Sequence, residues 1–136
     1  MLNRFSDGIV VMAFDFGTRR IGVALGNTLT KSVRPLKTID GSTNDAKWTA
    51  ITRLIDEWKP LVAVVGLPRH PDGQPNEMTP KAQRFANQLT GRYNLMVKHV
   101  DERYTSAVIE NENPNADIDA ESAALILQQW FDEGAC

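Results

Sequence analysis

The sequence predicts an α/β fold: a mixed five-stranded sheet, three antiparallel strands followed by parallel ones, flanked by helices. Two β-rich runs, residues 9–14 and 21–25, are joined by the short polar turn Thr18-Arg19-Arg20 and read as a hairpin. Further strand candidates then alternate with runs of helical period, the pattern of crossovers between parallel strands. No internal repeat, linker or low-complexity segment interrupts the 136 residues, so residues 1–136 are expected to form a single domain.

In chain order, residues 32–39 (SVRPLKTI) are a third strand, and Pro35 marks it as an edge strand or the site of a bulge. Residues 40–44 are rich in turn formers. Trp48, Ile51, Leu54, Ile55 and Trp58 recur at helical spacing, which predicts a helix over residues 45–58, stopped by Pro60. The continuous apolar run 61–65 has the mark of a strand buried on both faces. Residues 66–77 (GLPRHPDGQPNE) are dense in proline and glycine and read as the loop leaving it. Thr79 and Pro80 are expected to open a helix as cap and first residue, with Ala82, Phe85, Ala86 and Leu89 on its inner face and Gly91 closing it. Residues 95–100 are the fifth strand, leading into Asp101-Glu102-Arg103. A short helix over 104–110, an irregular stretch over 111–118 and a last helix from residue 119 or 120 to 131 complete the chain.

Composition excludes several classes. With 42% hydrophobic and 24% charged residues, the chain is neither a disordered nor a membrane-embedded one. Its single cysteine, Cys136, permits no intrachain disulfide and points to a reducing compartment. The first eight residues are too polar for a signal peptide, and no apolar run approaches the roughly 20 residues of a membrane helix. A cytoplasmic protein is expected. The net charge of −2 removes any global argument for nucleic-acid binding, although Arg19, Arg20, Lys31, Arg34 and Lys37 bias the first third toward positive charge, and residues 110–133 hold acids with no Lys or Arg. No heptad or long apolar stripe demands a dimer, so the oligomeric state is left open.

Three carboxylates stand out by context. Asp15 interrupts an apolar strand, where a charge is costly to bury unless something pairs with it. Glu102 lies just past the last strand, and Asp119 at the start of the last helix. If that helix packs beside the first strand, the three converge at the carboxyl-end side of the sheet. Clustered carboxylates with oxygen-only donors suit magnesium or manganese, which can activate water for in-line displacement at phosphorus. Plainer readings stand beside these: Asp119 as an N-cap, Glu102 paired with Arg103 or Arg20, Asp15 paired with Arg19 or Arg20. Arg69, in the loop Gly66-Leu67-Pro68-Arg69, is a candidate for holding a phosphate backbone, against a tight exit from a buried strand. Gly17 and Gly22 leave room beside Asp15 for such a backbone, or serve the hairpin. His70 and His99 have no ligand spacing and read as incidental, and Trp48, Trp58 and Trp130 as core.

The stretches AFDFGTRRIGVALG, VVGLPRHPDG, VDERYTSAVIE and IDAESAALILQQWF together resemble the YqgF/RuvX family of bacterial proteins, in order and at compatible spacing over nearly the whole chain. The resemblance implies a ribonuclease H-like fold, shared with the RuvC Holliday-junction resolvases, and a metal-dependent nuclease that processes the 5′ end of pre-16S ribosomal RNA in ribosome biogenesis. By motif, Asp15, Glu102 and Asp119 become the catalytic metal ligands for two Mg²⁺ or Mn²⁺ ions. Asp101 competes with Glu102, since neighbours on a strand face opposite ways. Arg19, Arg20, Arg69 and Arg103 become candidates for binding nucleic acid, structured RNA first and branched DNA second, with ribosome-assembly components as further partners. The alternatives are a Holliday-junction resolvase-like DNA endonuclease and a non-catalytic factor in ribosome assembly or transcription. One departure from the family pattern is that residues 111–119 (NENPNADID) are short and carry no basic residue.

Overall fold

The hairpin forms as its sequence dictates. Strand β1 (Val10–Phe16) and strand β2 (Arg20–Asn27) pair antiparallel without interruption, from Val10 opposite Asn27 to Phe16 opposite Ile21. The computed structural model describes residues 8–102 and 118–133, without the side chains of Glu102 and Ile118. The helix expected over 104–110, the stretch 111–117 and Arg103 lie outside the described residues.

Strand β3 (Val33–Asp40) pairs antiparallel with β2 and forms one margin of a five-stranded sheet of order β3-β2-β1-β4-β5. Pro35 explains an irregularity there. It has no N–H to give the ladder, and the register shifts where Val23 faces Lys37 while Ala24 faces Pro35. Both expectations for this proline, edge and bulge, are met.

Strands β4 (Val62–Pro68) and β5 (Met96–Glu102) are parallel to each other, and β4 is parallel to β1. Each runs further than expected. Gly66, Leu67 and Pro68 pair with Val100, Asp101 and Glu102, so the loop begins only at Arg69, and Glu102 is the last residue of β5 rather than a residue beyond it. Ladder bonds depend on a neighbouring backbone, not on side-chain preference, and they carry both strands through residues that read locally as loop.

Helix α1 (Asn44–Trp58) begins at Thr43, whose Oγ1 accepts from the Ala46 N–H at 3.2 Å. It ends at Lys59, held at a positive φ of 48°, directly before Pro60. Helix α2 (Thr79–Tyr93) departs from expectation at both ends. Thr79 is its first residue, not its cap. The side chain of Asn76 takes the capping work, accepting from the N–H groups of Met78 and Thr79 at 2.9 and 3.1 Å. The Thr79 hydroxyl is turned inward and donates to the Pro68 carbonyl. Gly91 lies inside the helix, and the left-handed terminal residue is Asn94 at φ 56°, a conformation asparagine tolerates well. Helix α3 (Ile118–Asp132) closes the described chain. No helix of the described residues is long and apolar enough to cross a membrane.

Strand alternation divides the core in two. Met12 and Phe14 of β1 pack with Trp48, Ile51 and Leu54 of α1 and Phe85, Ala86 and Leu89 of α2. Val11 and Ala13 face the other way, onto Ala123, Ile126, Leu127, Trp130 and Phe131 of α3. Phe85 meets Phe14 edge-on at 5.5 Å and stacks on Trp48 at 5.7 Å. Each such buried ring contributes about 1.5–3 kcal/mol over its exposed state. Ala24 belongs to the α3 layer, and a Cβ added at Gly26 would lie 2.7 Å from the Leu127 side chain. The α3 side of β2 is thus built from small residues, and the helix lies close upon it.

Candidate active site

Asp15 follows Val11 and Ala13 in the alternation of β1 and so belongs to the α3 side of the sheet. It is the penultimate residue of β1, half-buried, and its partner across the hairpin is Gly22. A Cβ at Gly22 would stand 1.7 Å from the carbonyl oxygen of Asp119 and 2.9 Å from the Ala120 nitrogen. The opening turn of α3 therefore rests on the bare backbone of β2, at the residue directly beside Asp15. The sequence brings two distant carboxylate residues together by leaving out a side chain between them. This corrects one expectation: the space at Gly22 is filled by Asp119 and not left for a phosphate. At Gly17 likewise, a Cβ would lie 2.6 Å from the Arg20 carbonyl oxygen, so that glycine serves the hairpin turn.

Asp119 is the second residue of α3, inside the first turn rather than preceding it. Its Oδ2 lies 3.0 Å from Arg20 Nε, with the arginine side chain 71% exposed and the aspartate 30%. Water screens a pair this open, and it contributes only about 0–1 kcal/mol. Arg20 thus lies over the site as a loosely held cation.

Glu102 ends β5 level with Pro68. Because β1, β4 and β5 are parallel, their carboxyl ends share one margin, and with β4 between them β1 and β5 stand roughly 10 Å apart there. Val100 packs in the α3 layer and Val97 against the opposite one, so position 102 has the parity of the α3 side and position 101 the other. The Asp101 carboxylate accepts from Arg69 Nε at 3.0 Å, and its backbone carbonyl accepts from Gln129 Nε2 at 3.1 Å. Among the described residues no group of three or more His, Cys, Asp or Glu side chains is placed to hold a metal ion. Of the expected triad, the described residues set the Asp119 backbone against Gly22, the ladder partner of Asp15.

The arginines divide by setting. Arg19 is exposed in the hairpin turn, and its carbonyl accepts from the Gly41 N–H at 2.8 Å, tying the turn to the loop after β3. Arg69 is held by Asp101, bracing the loop that leaves β4. His70 donates its backbone N–H to Gln74 within that loop. His99 faces Gln83 at 3.4 Å, and partial burial pushes its pKa below the usual range. Neither histidine joins the carboxylates. Trp48 and Trp130 are buried and Trp58 packs against the core, as expected.

Residues 9–133 match the family model RuvX, described as Holliday junction resolvase. The chain belongs to the RuvX family. A RuvX relative from Polynucleobacter necessarius, named "Putative pre-16S rRNA nuclease", is 56% identical over 126 residues, which cover 92% of this chain and 86% of the relative. A Paraburkholderia xenovorans protein of the same name is 54% identical over 127 residues, covering 90% and 87%. The fold extends beyond RuvX. The fowlpox virus Holliday junction resolvase superposes with a TM-score of 0.60 at 13% identity, covering 94% of this chain and 100% of that one. Thermus thermophilus RuvC in complex with Holliday junction substrate gives 0.57 at 13% identity, covering 93% and 96%. Likeness at that identity concerns the fold, and the fold is the ribonuclease H-like one that the sequence led us to expect.

Proposed function

We propose that this RuvX protein is a metal-dependent nuclease that hydrolyses phosphodiester bonds in processing the 5′ end of pre-16S rRNA, acting as a single cytoplasmic domain. The observation that carries the reading is the seating of the Asp119 turn on Gly22, opposite Asp15. Two carboxylates brought to one face repel unless a cation joins them. An all-oxygen donor set fits a hard divalent ion, Mg²⁺ or Mn²⁺. Asp15, Asp119 and Glu102, the last favoured over Asp101 by its parity in β5 and by the Arg69–Asp101 pair, would hold two such ions. The ions would supply an activated water and neutralise charge on the attacking and leaving oxygens.

The chain's own part is positioning. The rigid hairpin fixes Asp15, and α3 fixes Asp119 with no side chain intervening. Arg20, exposed and already beside Asp119, would hold the substrate phosphate next to the reacting one. Arg19 and Arg103 would extend that contact along the backbone, and Arg69 would orient the loop after β4. Labelled precursor rRNA incubated with Mg²⁺ or Mn²⁺ should be cut by the wild type and not by Asp15→Asn. Equal cleavage by both would remove Asp15 from the mechanism, and full function in cells carrying Asp15→Asn would favour a non-catalytic role in ribosome assembly.

Branched DNA is the second reading. The family model is described as Holliday junction resolvase, and of the two neighbours that share the fold one is a Holliday junction resolvase and the other is RuvC in complex with Holliday junction substrate. A four-way DNA junction in the same assay separates the two substrates.

A further inference from the structure

On the side of the sheet away from Asp15, three cations gather that the site above does not use. Phe16 ends β1, one residue past Asp15, and alternation turns its ring toward α1 and α2. Lys47, in the first turn of α1, holds its Nζ 5.9 Å from the Phe16 ring and 5.2 Å from the Trp48 ring. The Arg92 guanidinium sits 4.1 Å over that same Trp48 ring. Two distances to one ring place the charges within about one Debye length (~10 Å at 0.1 M salt) of each other. Arg84 lies near enough to act on Lys47, and it shares a helical stripe with Arg92 through Gln88.

Among the described residues none of the three is in an ion pair. The ion pairs among the described residues are Arg20–Asp119 and Arg69–Asp101, neither of them here. Helix α2 carries Lys81, Arg84 and Arg92 with no Asp or Glu in its 15 residues. The strain is felt by Lys47, whose pKa falls below the ordinary lysine value through burial first and then repulsion from Arg92 and Arg84. The floor beneath is rigid: Trp48, buried, stacks on Phe85 at 5.7 Å, and Thr52 and Tyr93 share a hydroxyl hydrogen bond of 2.8 Å that ties α1 to α2. Trp48 is too covered to stack a base, so what the surface offers is charge: Arg84 and Arg92 exposed, Lys47 half-exposed.

We propose that Lys47, Arg84 and Arg92 form a second nucleic-acid contact, taking consecutive phosphates of a strand that passes over the end of β1 from the Asp15 side. Guanidinium forks match phosphate oxygens in pairs, and a polyanion relieves the repulsion of Lys47 by Arg92 and Arg84. The position beside Phe16 favours a polynucleotide over an acidic protein, because the ring that Lys47 of α1 approaches at 5.9 Å is the next residue along β1 from Asp15. The contact rests on the nuclease reading for its place, and its test does not use cleavage.

Binding of a fluorescent single-stranded RNA oligomer is measured in EDTA on Asp15→Asn protein, across a salt series. Each phosphate contact on a single strand adds about 0.7 to the slope of log affinity against log salt, so adding Lys47→Gln, Arg84→Gln and Arg92→Gln should flatten the slope by about 2 and weaken binding about 10²-fold at 0.1 M salt. The doubly substituted Lys37→Gln, Lys98→Gln protein, with charge removed elsewhere, should change far less per charge, and Lys47→Arg should bind as Asp15→Asn does. Thermal melting checks that each variant is folded. An unaltered slope in the folded triple variant overturns the proposal, as does an equal loss per charge in the control. So does retained RNA binding alongside lost binding of poly-glutamate, which would assign the surface to an acidic protein. Failure of the nuclease reading would appear separately, as absent cleavage with RNA binding intact.

Discussion

Helices α2 and α3 are both 15 residues long and cover opposite sides of one sheet, yet their charges are opposite. Helix α2 bears Lys81, Arg84 and Arg92 and no acid, whereas α3 bears Asp119, Glu121 and Asp132 and no base. Averaged, they cancel, and a net charge of −2 conceals the polarity. The difference also reaches into how each side is built. The α2 side is floored by large rings, Phe14, Phe85 and Trp48, with cations over Trp48 and Phe16, while the α3 side opposes small residues, Gly22, Ala24 and Gly26, to a closely seated helix. One side presents bases without acids on its helix, and the other seats the Asp119 backbone against the ladder partner of Asp15.

The sharpest way to break the α2 side is at its floor. Phe85→Ala empties a site 1% exposed and should destabilise the protein by about 3–5 kcal/mol, read by chemical denaturation. On the opposite side Asp15→Asn should leave stability nearly unchanged and reduce cleavage about 10²–10³-fold, the scale of losing one group that stabilises charge in a transition state. Those two results together would show that the layers divide labour between scaffold and chemistry. Gly22→Ala tests the α3 seating itself: overpacking should cost about 1–3 kcal/mol and displace Asp119, lowering Tm and cleavage together.

Smaller effects sharpen the contrast. Arg20→Gln removes a screened pair worth no more than about 1 kcal/mol, so the melting curve should barely move, while Mn²⁺ affinity should rise as Asp119 loses its competitor. The smallest effect belongs to Lys47. Its folded pKa lies below 10.5, so the folded state disfavours its charge and the penalty is full at neutral pH. The penalty disappears as pH rises through the window between that lowered pKa and 10.5, where the unfolded chain holds more protons. Stability should gain slightly across that window, and Lys47→Gln should abolish the gain.

Much of the fold was legible because it rests on local periodicity. The hairpin, the edge proline and the inner faces of α1 and α2 follow from alternation and helical spacing alone. The strand ends were not, because Gly66, Pro68, Asp101 and Glu102 are extended by pairing with each other rather than by their own preferences. Helix α2 departs from its local signals at both ends for a related reason: Asn76 and Asn94 do the capping that Thr79 and Gly91 suggest. In the site, the anomaly of Asp15 was visible from the sequence, and so was the parity that separates Asp101 from Glu102. The contact at Gly22 was not, since a glycine in a hairpin carries no sign of which distant backbone will fill its space. The α2 cations carry a local signal, a helix of 15 residues with three bases and no acid.

Strand β3 has a consequence of another kind. Its free margin carries Pro35, which cannot donate, a register shift that bends the ladder, and Arg34, whose guanidinium folds back to 5.1 Å over Trp58. A sheet polymerises by adding strands at both margins, and here one of the two is spoiled. A strand arriving at the β3 margin meets a missing donor and a bent ladder, which disfavours pairing there.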